Sequence, residues 1–245
     1  MTVGGSVLLL VHGFPLDGRM WREQVSALSD IRRVIAPDLD GHGGNPAGEP
    51  KRSMDEIARS LAEGLDSEGV SNVDLAGFSM GGYAALAFCR LFPDRVNSLA
   101  LVDSRPEADS DAGRAGRDQM IADIESRGSI AAAEAMLPKM FTDAVEPELR
   151  DEVEGWMRQQ PPAALVADLQ AMRDRPDSGA TVARLSVALL VVAGLQDPII
   201  SVAEAEAIAH RAVYGRLVVV DGASHLSPLE QPQLVNDALR KHLGG

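Results

Sequence analysis

Residues 73–82 read VDLAGFSMGG, and this stretch decides how the rest of the chain is interpreted. Residues 73–76 form a short, mostly apolar run that is typical of a buried parallel strand, and a pattern of helical period follows from Gly82. The Gly-x-Ser-x-Gly turn between them contains Ser79, and its glycines permit a tight reversal that a side chain would obstruct. The sequence therefore predicts that this turn holds the Ser79 hydroxyl up at the edge of a sheet.

Similar runs of small and branched apolar residues recur along the chain. They cover residues 7–11, 33–36, 99–102, 187–193 and 217–220. Patterns of helical period lie between them, at residues 21–28, 54–65, 82–92, 202–211 and 233–243. This alternation predicts an α/β fold with a mostly parallel central sheet and helices on both faces.

The strand rhythm stops between residues 105 and 184, where apolar residues recur at helical spacing. Prolines at positions 106, 138, 147, 161 and 162 divide this stretch into several predicted helices. We expect residues 1–104 to form the first part of a core, residues 105–184 an inserted helical cap, and residues 185–245 the second part of the core. The alternative is that these helices pack beside the sheet without covering a site.

Composition narrows the classes of function. The 245 residues are 45% hydrophobic, which is enough for one sizeable core, and the formal net charge is −13. Because this charge repels phosphate backbones and anionic lipids, we expect no nucleic-acid partner. The apolar runs are far shorter than the ~20 residues of a membrane span, and the first residues lack the pattern of a secretory signal. A cytoplasmic protein that does not cross a membrane is expected.

The motifs together resemble the α/β-hydrolase fold family over essentially the whole chain. Residues 12–15 (HGFP) are similar to its oxyanion loop, residues 37–43 (PDLDGHG) to its second loop signature, and residues 77–81 (GFSMG) to its nucleophile elbow. Among its members, the chain looks most like serine carboxylesterases and enol-lactonases. The resemblance implies that Ser79 is the nucleophile of a Ser-Asp-His triad.

A serine hydroxyl needs a nearby imidazole to take its proton during attack. Of the five histidines, His225 alone follows the last predicted strand and precedes the last helix. Its segment, residues 221–232 (DGASHLSPLEQP), resembles the catalytic-histidine loop of the family. His12 and His42 lie in glycine-containing loops, His210 ends a helix and His242 is near the C-terminus. His225 is therefore the predicted base.

The base in turn needs a carboxylate that holds the working tautomer. Asp197 follows the run 187–193 in a Gly-to-Pro loop, where the resemblance implies the triad acid. An acidic residue usually precedes that aspartate in the family, and Gln196 stands there in this chain. Asp103 also ends a strand and remains an alternative acid, whereas Asp221 is expected to cap or turn the chain.

Two further sets of residues are predicted around the triad. The backbone N–H groups of Phe14 and Met80 are candidates for an oxyanion hole, and Phe14 is also expected to line the pocket. Five of the nine methionines fall in the predicted cap, and flexible thioethers suit a permissive apolar pocket. Met136, Met140 and Phe141 are the predicted lining residues from that segment.

Together these expectations predict a serine hydrolase that cleaves small carboxylic esters through an acyl-enzyme, without a metal or cofactor. A serine nucleophile excludes haloalkane dehalogenases and epoxide hydrolases, which as families carry aspartate at this position. A lactonase such as an enol-lactonase is the main alternative, followed by perhydrolases, C–C bond hydrolases and carrier-protein ester hydrolases. A non-catalytic ligand receptor is the alternative from another class. Neither the natural substrate nor the oligomeric state follows from the sequence.

Overall fold

A central parallel sheet organises the molecule. The computed structural model describes residues 7–45 and 49–244, and in these residues six strands form one sheet. The strands are β1 (Val7–Val11), β2 (Arg33–Ile35), β3 (Val73–Phe78), β4 (Val96–Val102), β5 (Ala188–Gly194) and β6 (Gly215–Val220). Their order is β2-β1-β3-β4-β5-β6, and every neighbouring pair is parallel. The predicted sheet is thereby confirmed.

The helices connect and cover these strands. In chain order they are α1 (Arg22–Leu28), α2 (Met54–Ser67), α3 (Met80–Leu91), α4 (Asp111–Arg127), α5 (Ser129–Met140), α6 (Pro147–Gln159), α7 (Pro162–Arg173), α8 (Gly179–Ala183), α9 (Val202–Arg211), α10 (Ser227–Glu230) and α11 (Pro232–His242). None of the helices within the described ranges is both long and apolar enough to cross a bilayer.

Two apolar clusters bury the two faces of the sheet. Leu9 and Val11 of β1 belong to a cluster shared with α2, α3 and α9, whereas Leu8 and Leu10 belong to a cluster shared with α1 and α11. Successive side chains of a strand point to opposite faces, so this division follows from the pleat. Because both faces are covered, β1 is buried throughout and its sequence is an unbroken apolar run.

Five helices, α4 to α8, lie between β4 and β5, in the stretch predicted to be an inserted cap. Their apolar side chains join both core clusters, with Leu165 in one and Trp156 in the other. A buried pair, His42 Nε2 and Asp168 Oδ2 at 3.0 Å, ties α7 to the loop after β2. Whether this insertion acts as a cap over a substrate stays a prediction.

Several element boundaries differ from the predicted ones. The helix expected from residue 82 begins at Met80, so that it includes Gly81 and Gly82. The low helix propensity of glycine had concealed this first turn. The strand expected from residue 99 begins at Val96, which pairs with Val73 of β3. The polar Ser98 interrupts the apolar run, and its hydroxyl donates to the buried Asp74 carboxylate at 2.8 Å. Pro138 does not separate helices but lies inside the last turn of α5, which ends two residues later.

Candidate active site

The turn that holds Ser79 connects β3 to α3 at the carboxyl edge of the sheet. Ser79 has φ 50° and ψ −113°, a strained conformation that costs on the order of 1–3 kcal/mol and persists only when its surroundings enforce it. A Cβ on Gly77 would lie 2.3 Å from the carbonyl oxygen of Gly81, so no larger residue fits there. The Ser79 N–H donates to the Val102 carbonyl at 2.9 Å, which fixes the turn to β4.

Of the three residues predicted as a triad, His225 lies within hydrogen-bond distance of both others. His225 Nε2 is 3.0 Å from Ser79 Oγ, and His225 Nδ1 is 2.7 Å from Asp197 Oδ2. With the Nδ1 proton donated to Asp197, Nε2 is free to accept the serine proton. The other oxygen of Asp197 accepts the N–H of Ile199 at 2.7 Å, which orients the carboxylate. The imidazole is fully buried, and its ring centroid lies 5.1 Å from that of Phe78.

The two histidines in the glycine-containing loops bond elsewhere. His12 Nε2 accepts the N–H of Leu39 at 3.0 Å, so His12 joins the loops after β1 and β2. Burial, reinforced by the nearby His42, lowers the pKa of His12 to about 4. Burial alone would also lower the pKa of His42, but the charge and hydrogen bond of Asp168 outweigh it, and the pKa is raised. Both side chains have structural partners in place.

Asp103, the alternative acid, lies beside the triad with its own partners. It is fully buried with φ 48°, and its two oxygens accept the Gly194 N–H at 2.8 Å and the Ser227 hydroxyl at 2.5 Å. Burial raises its pKa well above the ordinary value, and the charge of Asp197 adds to that shift. Its carboxylate therefore joins the end of β5 to the loop that carries His225. Asp221 is an exposed turn residue that accepts the Gly222 N–H at 2.9 Å.

The candidate oxyanion donors lie at the start of α3 and in the loop after β1. Met80 is the first residue of α3, where backbone N–H groups lack partners within the helix and the dipole favours negative charge. Phe14 follows Gly13, where a Cβ would lie 2.6 Å from the Phe78 ring, so this loop packs closely against the end of β3. The role of both N–H groups stays a prediction.

The residues predicted to line a pocket lie at the end of α5. Met140 and Phe141 are buried in one of the two core clusters, and the half-buried Met136 packs against both. The Met140 carbonyl accepts the N–H of Leu226, the residue after His225, at 2.8 Å. The end of α5 thus lies beside the histidine loop, and contact of these side chains with a substrate stays a prediction.

Some residues that hold the site were not singled out from the sequence. Ser104 donates to the Ser79 carbonyl at 2.7 Å, and Ser227 donates to Asp103. Glu230 accepts the Ser224 N–H at 2.8 Å. The sequence signal of Ser104 and Ser227 is only proximity to a strand end or to His225, because their partners are remote in the chain. Glu230 lies within the segment 221–232 that resembles the catalytic-histidine loop, and its partner Ser224 is six positions away. Within the described ranges, no three His, Cys, Asp or Glu side chains group as a metal site.

A parallel sheet of this order, with a serine at a tight turn between a strand and a helix, defines the class of α/β hydrolases. The chain belongs to this class: the model of the Alpha/beta hydrolase family matches residues 8–238. The predicted resemblance is confirmed.

Three similar proteins illustrate the range of this family. An esterase structure from Thermogutta terrifontis with malate bound is 36% identical, with a TM-score of 0.94, and the match covers 98% of this chain and 90% of that one. The 3-oxoadipate enol-lactonase 2 of Acinetobacter baylyi is 26% identical over 90% of this chain and 82% of its own length. The dihydrolipoyllysine-residue acetyltransferase component of the acetoin cleaving system of Cupriavidus necator is 31% identical over 99% of this chain. The match spans only 64% of that protein.

Proposed function

We propose that this chain is a carboxylesterase that cleaves small esters through an acyl-enzyme on Ser79. Membership of the hydrolase family and likeness to an esterase and an enol-lactonase support ester hydrolysis in general. The observation that carries the specific proposal is the continuous hydrogen-bonded line from Ser79 Oγ through His225 to Asp197, with distances of 3.0 and 2.7 Å.

In the first half of the reaction, Ser79 Oγ bonds to the ester carbonyl carbon while its proton passes to His225 Nε2. The tetrahedral intermediate then collapses, the bond to the alcohol oxygen breaks, and the alcohol leaves with the proton from His225. Such general acid–base catalysis contributes typically about 10²- to 10⁴-fold to the rate. Asp197 keeps the imidazole in the required tautomer and stabilises the imidazolium.

In the second half, water takes the place of the alcohol. His225 removes a proton from water, the hydroxide oxygen bonds to the acyl carbon, and the bond to Ser79 Oγ breaks with return of the proton to serine. The products are a carboxylic acid and the free enzyme. In both halves the backbone N–H groups of Phe14 and Met80 would donate to the carbonyl oxygen as it becomes negative, and each such donor contributes on the order of 10²- to 10³-fold.

The helical insertion, residues 105–184, would supply the cover and part of the acyl or alcohol pocket in this proposal. Support comes from its position: the end of α5 packs against the His225 loop, with Met140 and Phe141 buried there. Flexible methionine side chains would adapt to acyl groups of different shape. A small neutral ester fits this apolar environment and the net charge of −13 better than a dianion does.

A lactonase is the second candidate, favoured by the likeness to the enol-lactonase over most of both chains. Chemistry at Ser79 would be the same, except that the alcohol stays attached to the acyl group after the ring opens. The two candidates therefore differ in the pocket and not in the triad.

Turnover of nitrophenyl esters from acetate to laurate, measured beside several lactones, tests the proposal. We expect the short esters to give the highest kcat/KM and Ser79→Ala to reduce turnover to the background rate. Ser186→Ala changes an exposed serine that precedes β5, at the opposite end of that strand from Asp197, and should leave turnover unchanged. Rapid opening of a lactone with negligible ester turnover would assign the chain to the second candidate. Equal activity of Ser79→Ala and the parent would contradict both.

A further inference from the structure

The loop that carries His225 is bonded to the helical insertion on both sides of the histidine. The N–H of Leu226 donates to the Met140 carbonyl at 2.8 Å, and the Ser224 hydroxyl donates to the Lys139 carbonyl at 3.2 Å. Both carbonyls belong to the last residues of α5, where no further helical turn competes for them. The flanking residues of the histidine are therefore held by the insertion, in addition to the sheet beneath them.

Glu230 completes this connection with a single carboxylate. Its Oε2 atom accepts the N–H of Ser224 at 2.8 Å. Its Oε1 atom accepts the N–H of Thr142 at 2.6 Å and also the Thr142 hydroxyl. Thr142 follows α5 by two residues, so Glu230 bridges the residue before His225 and the beginning of the connection from α5 to α6.

We propose that Glu230 is a positioning residue that couples the placement of the helical insertion to that of His225. This inference rests on the proposed function, because it assigns a role in orienting the base. A displacement of about 1 Å in a reacting group can cost on the order of 10²-fold in rate, so a small shift of this loop matters. Asp103 holds the loop from the sheet through Ser227, whereas Glu230 adds a side-chain carboxylate to the two backbone carbonyls by which the insertion holds it.

A carboxylate is needed for this bridge, since both of its oxygens face N–H donors. A glutamine has the same shape but only one acceptor oxygen, and its NH₂ group would face an N–H of either Ser224 or Thr142. Glu230→Gln therefore breaks one side of the bridge while it fills the same volume. Thr142→Val is the complementary change, because it keeps the backbone donor and the shape but removes the hydroxyl.

The matched control is Glu56→Gln. Glu56 also accepts a backbone N–H, that of Arg52 at 3.0 Å, and a serine hydroxyl, that of Ser53 at 3.1 Å. It lies in the first turn of α2, outside the triad and the residues that hold it. Both contacts use the same oxygen of this exposed side chain, so a glutamine at position 56 can keep them, and Glu56→Gln controls for the loss of one carboxylate charge.

The experiment measures kcat, KM and the rate of labelling by a fluorophosphonate at a temperature where circular dichroism shows each variant folded. We expect Glu230→Gln to lower kcat and the labelling rate together by about 10- to 100-fold, with KM within twofold. Thr142→Val should lower kcat and the labelling rate to a smaller extent. Glu56→Gln should change neither kcat nor the labelling rate. Unchanged kcat and labelling in folded Glu230→Gln would overturn the inference. If that variant does not fold, unchanged kcat and labelling in Thr142→Val would overturn it instead. A parent protein that the probe does not label would refute the proposed function itself, which is a distinguishable result.

Discussion

His225 Nε2 lies 3.0 Å from Ser79 Oγ, although 146 positions separate the two residues in the chain. Ser79 follows β3 and His225 follows β6, and β4 and β5 lie between these strands in the sheet. The histidine loop must therefore pass over the carboxyl end of β5. That approach is close: a Cβ on Gly194, the last residue of β5, would lie 2.0 Å from the carbonyl oxygen of Ser224. The absence of a side chain at position 194 is part of how the site is assembled.

Replacement of Gly194 by alanine should consequently displace the histidine loop. We expect a loss of about 1–3 kcal/mol in the free energy of unfolding, from overpacking, together with a decrease in kcat. Gly64→Ala is the control, because a Cβ in this helical position meets nothing within 4 Å. It should stabilise the protein by roughly 0.5–1 kcal/mol and leave kcat unchanged. Urea unfolding and ester turnover measure both effects, and equal behaviour of the two variants would contradict this account of β5.

Replacement of Asp197 by asparagine should lower kcat/KM by roughly 10⁴-fold, because asparagine favours the wrong tautomer of the histidine. Asp221→Asn, at an exposed turn, should leave kcat/KM unchanged. Asp103→Asn should retain most of its activity, since the asparagine oxygen can still accept the Gly194 N–H. Kinetics of the three variants on one nitrophenyl ester provide the test. An inactive Asp103→Asn beside an active Asp197→Asn would show that the acid is Asp103.

Asp103 should also make stability depend on pH. Burial, followed by the charge of Asp197, raises its pKa well above the ordinary 3.8, so the folded state holds this proton more tightly than the unfolded state does. Its contribution to the free energy of unfolding therefore decreases as pH rises above about 4. Asp103→Asn lacks this term. The difference in melting temperature between variant and parent should shift in favour of the variant from pH 4 to pH 8, and a constant difference would disprove the assignment.

The lowered pKa of His12 predicts that stability changes with pH in the opposite direction. Its pKa is lowered from the ordinary 6.5 to about 4, chiefly by burial, so the unfolded chain binds a proton that the folded protein does not bind between these values. Stability is present above pH 6.5 and is lost as pH falls toward 4, by up to about 3 kcal/mol for this one group. His42, whose pKa is raised, acts above pH 6.5 and does not overlap this window. Urea unfolding of the parent and of His12→Gln from pH 4 to 7 should show a shallower slope in the variant. Parallel slopes would contradict the prediction.

The fold could be predicted largely because buried parallel strands leave a direct trace in sequence. Strands such as β1 and β5 read as apolar runs, and the helices between them keep their period. Boundaries were harder to predict where tertiary contacts outweigh local preference. Gly81 is helical although glycine is a poor helix former. A Cβ at this position would lie 2.2 Å from the Val11 carbonyl oxygen, so the close contact between α3 and β1 requires glycine there.

The residues of the site likewise divide into those that a local sequence pattern signals and those that it does not. Ser79, Asp197 and His225 follow strands at one edge of the sheet, and a local motif or loop signals each position. The residues that hold them bond to partners far along the chain: Asp103 to Ser227 across 124 positions, and Glu230 to Thr142 across 88. No local pattern encodes such a pair, because the contact exists only after the loops have been brought together.

The most direct test of the central claim is to identify the side chain that reacts with a fluorophosphonate. Intact-mass and peptide mass spectrometry of the labelled protein at neutral pH should show one phosphonyl group, attached to Ser79. Ser79→Ala should take up none, and His225→Asn should react far more slowly because no base removes the serine proton. Absence of labelling in the parent protein at neutral pH, or equal labelling of Ser79→Ala, would contradict the assignment of Ser79 as an activated nucleophile.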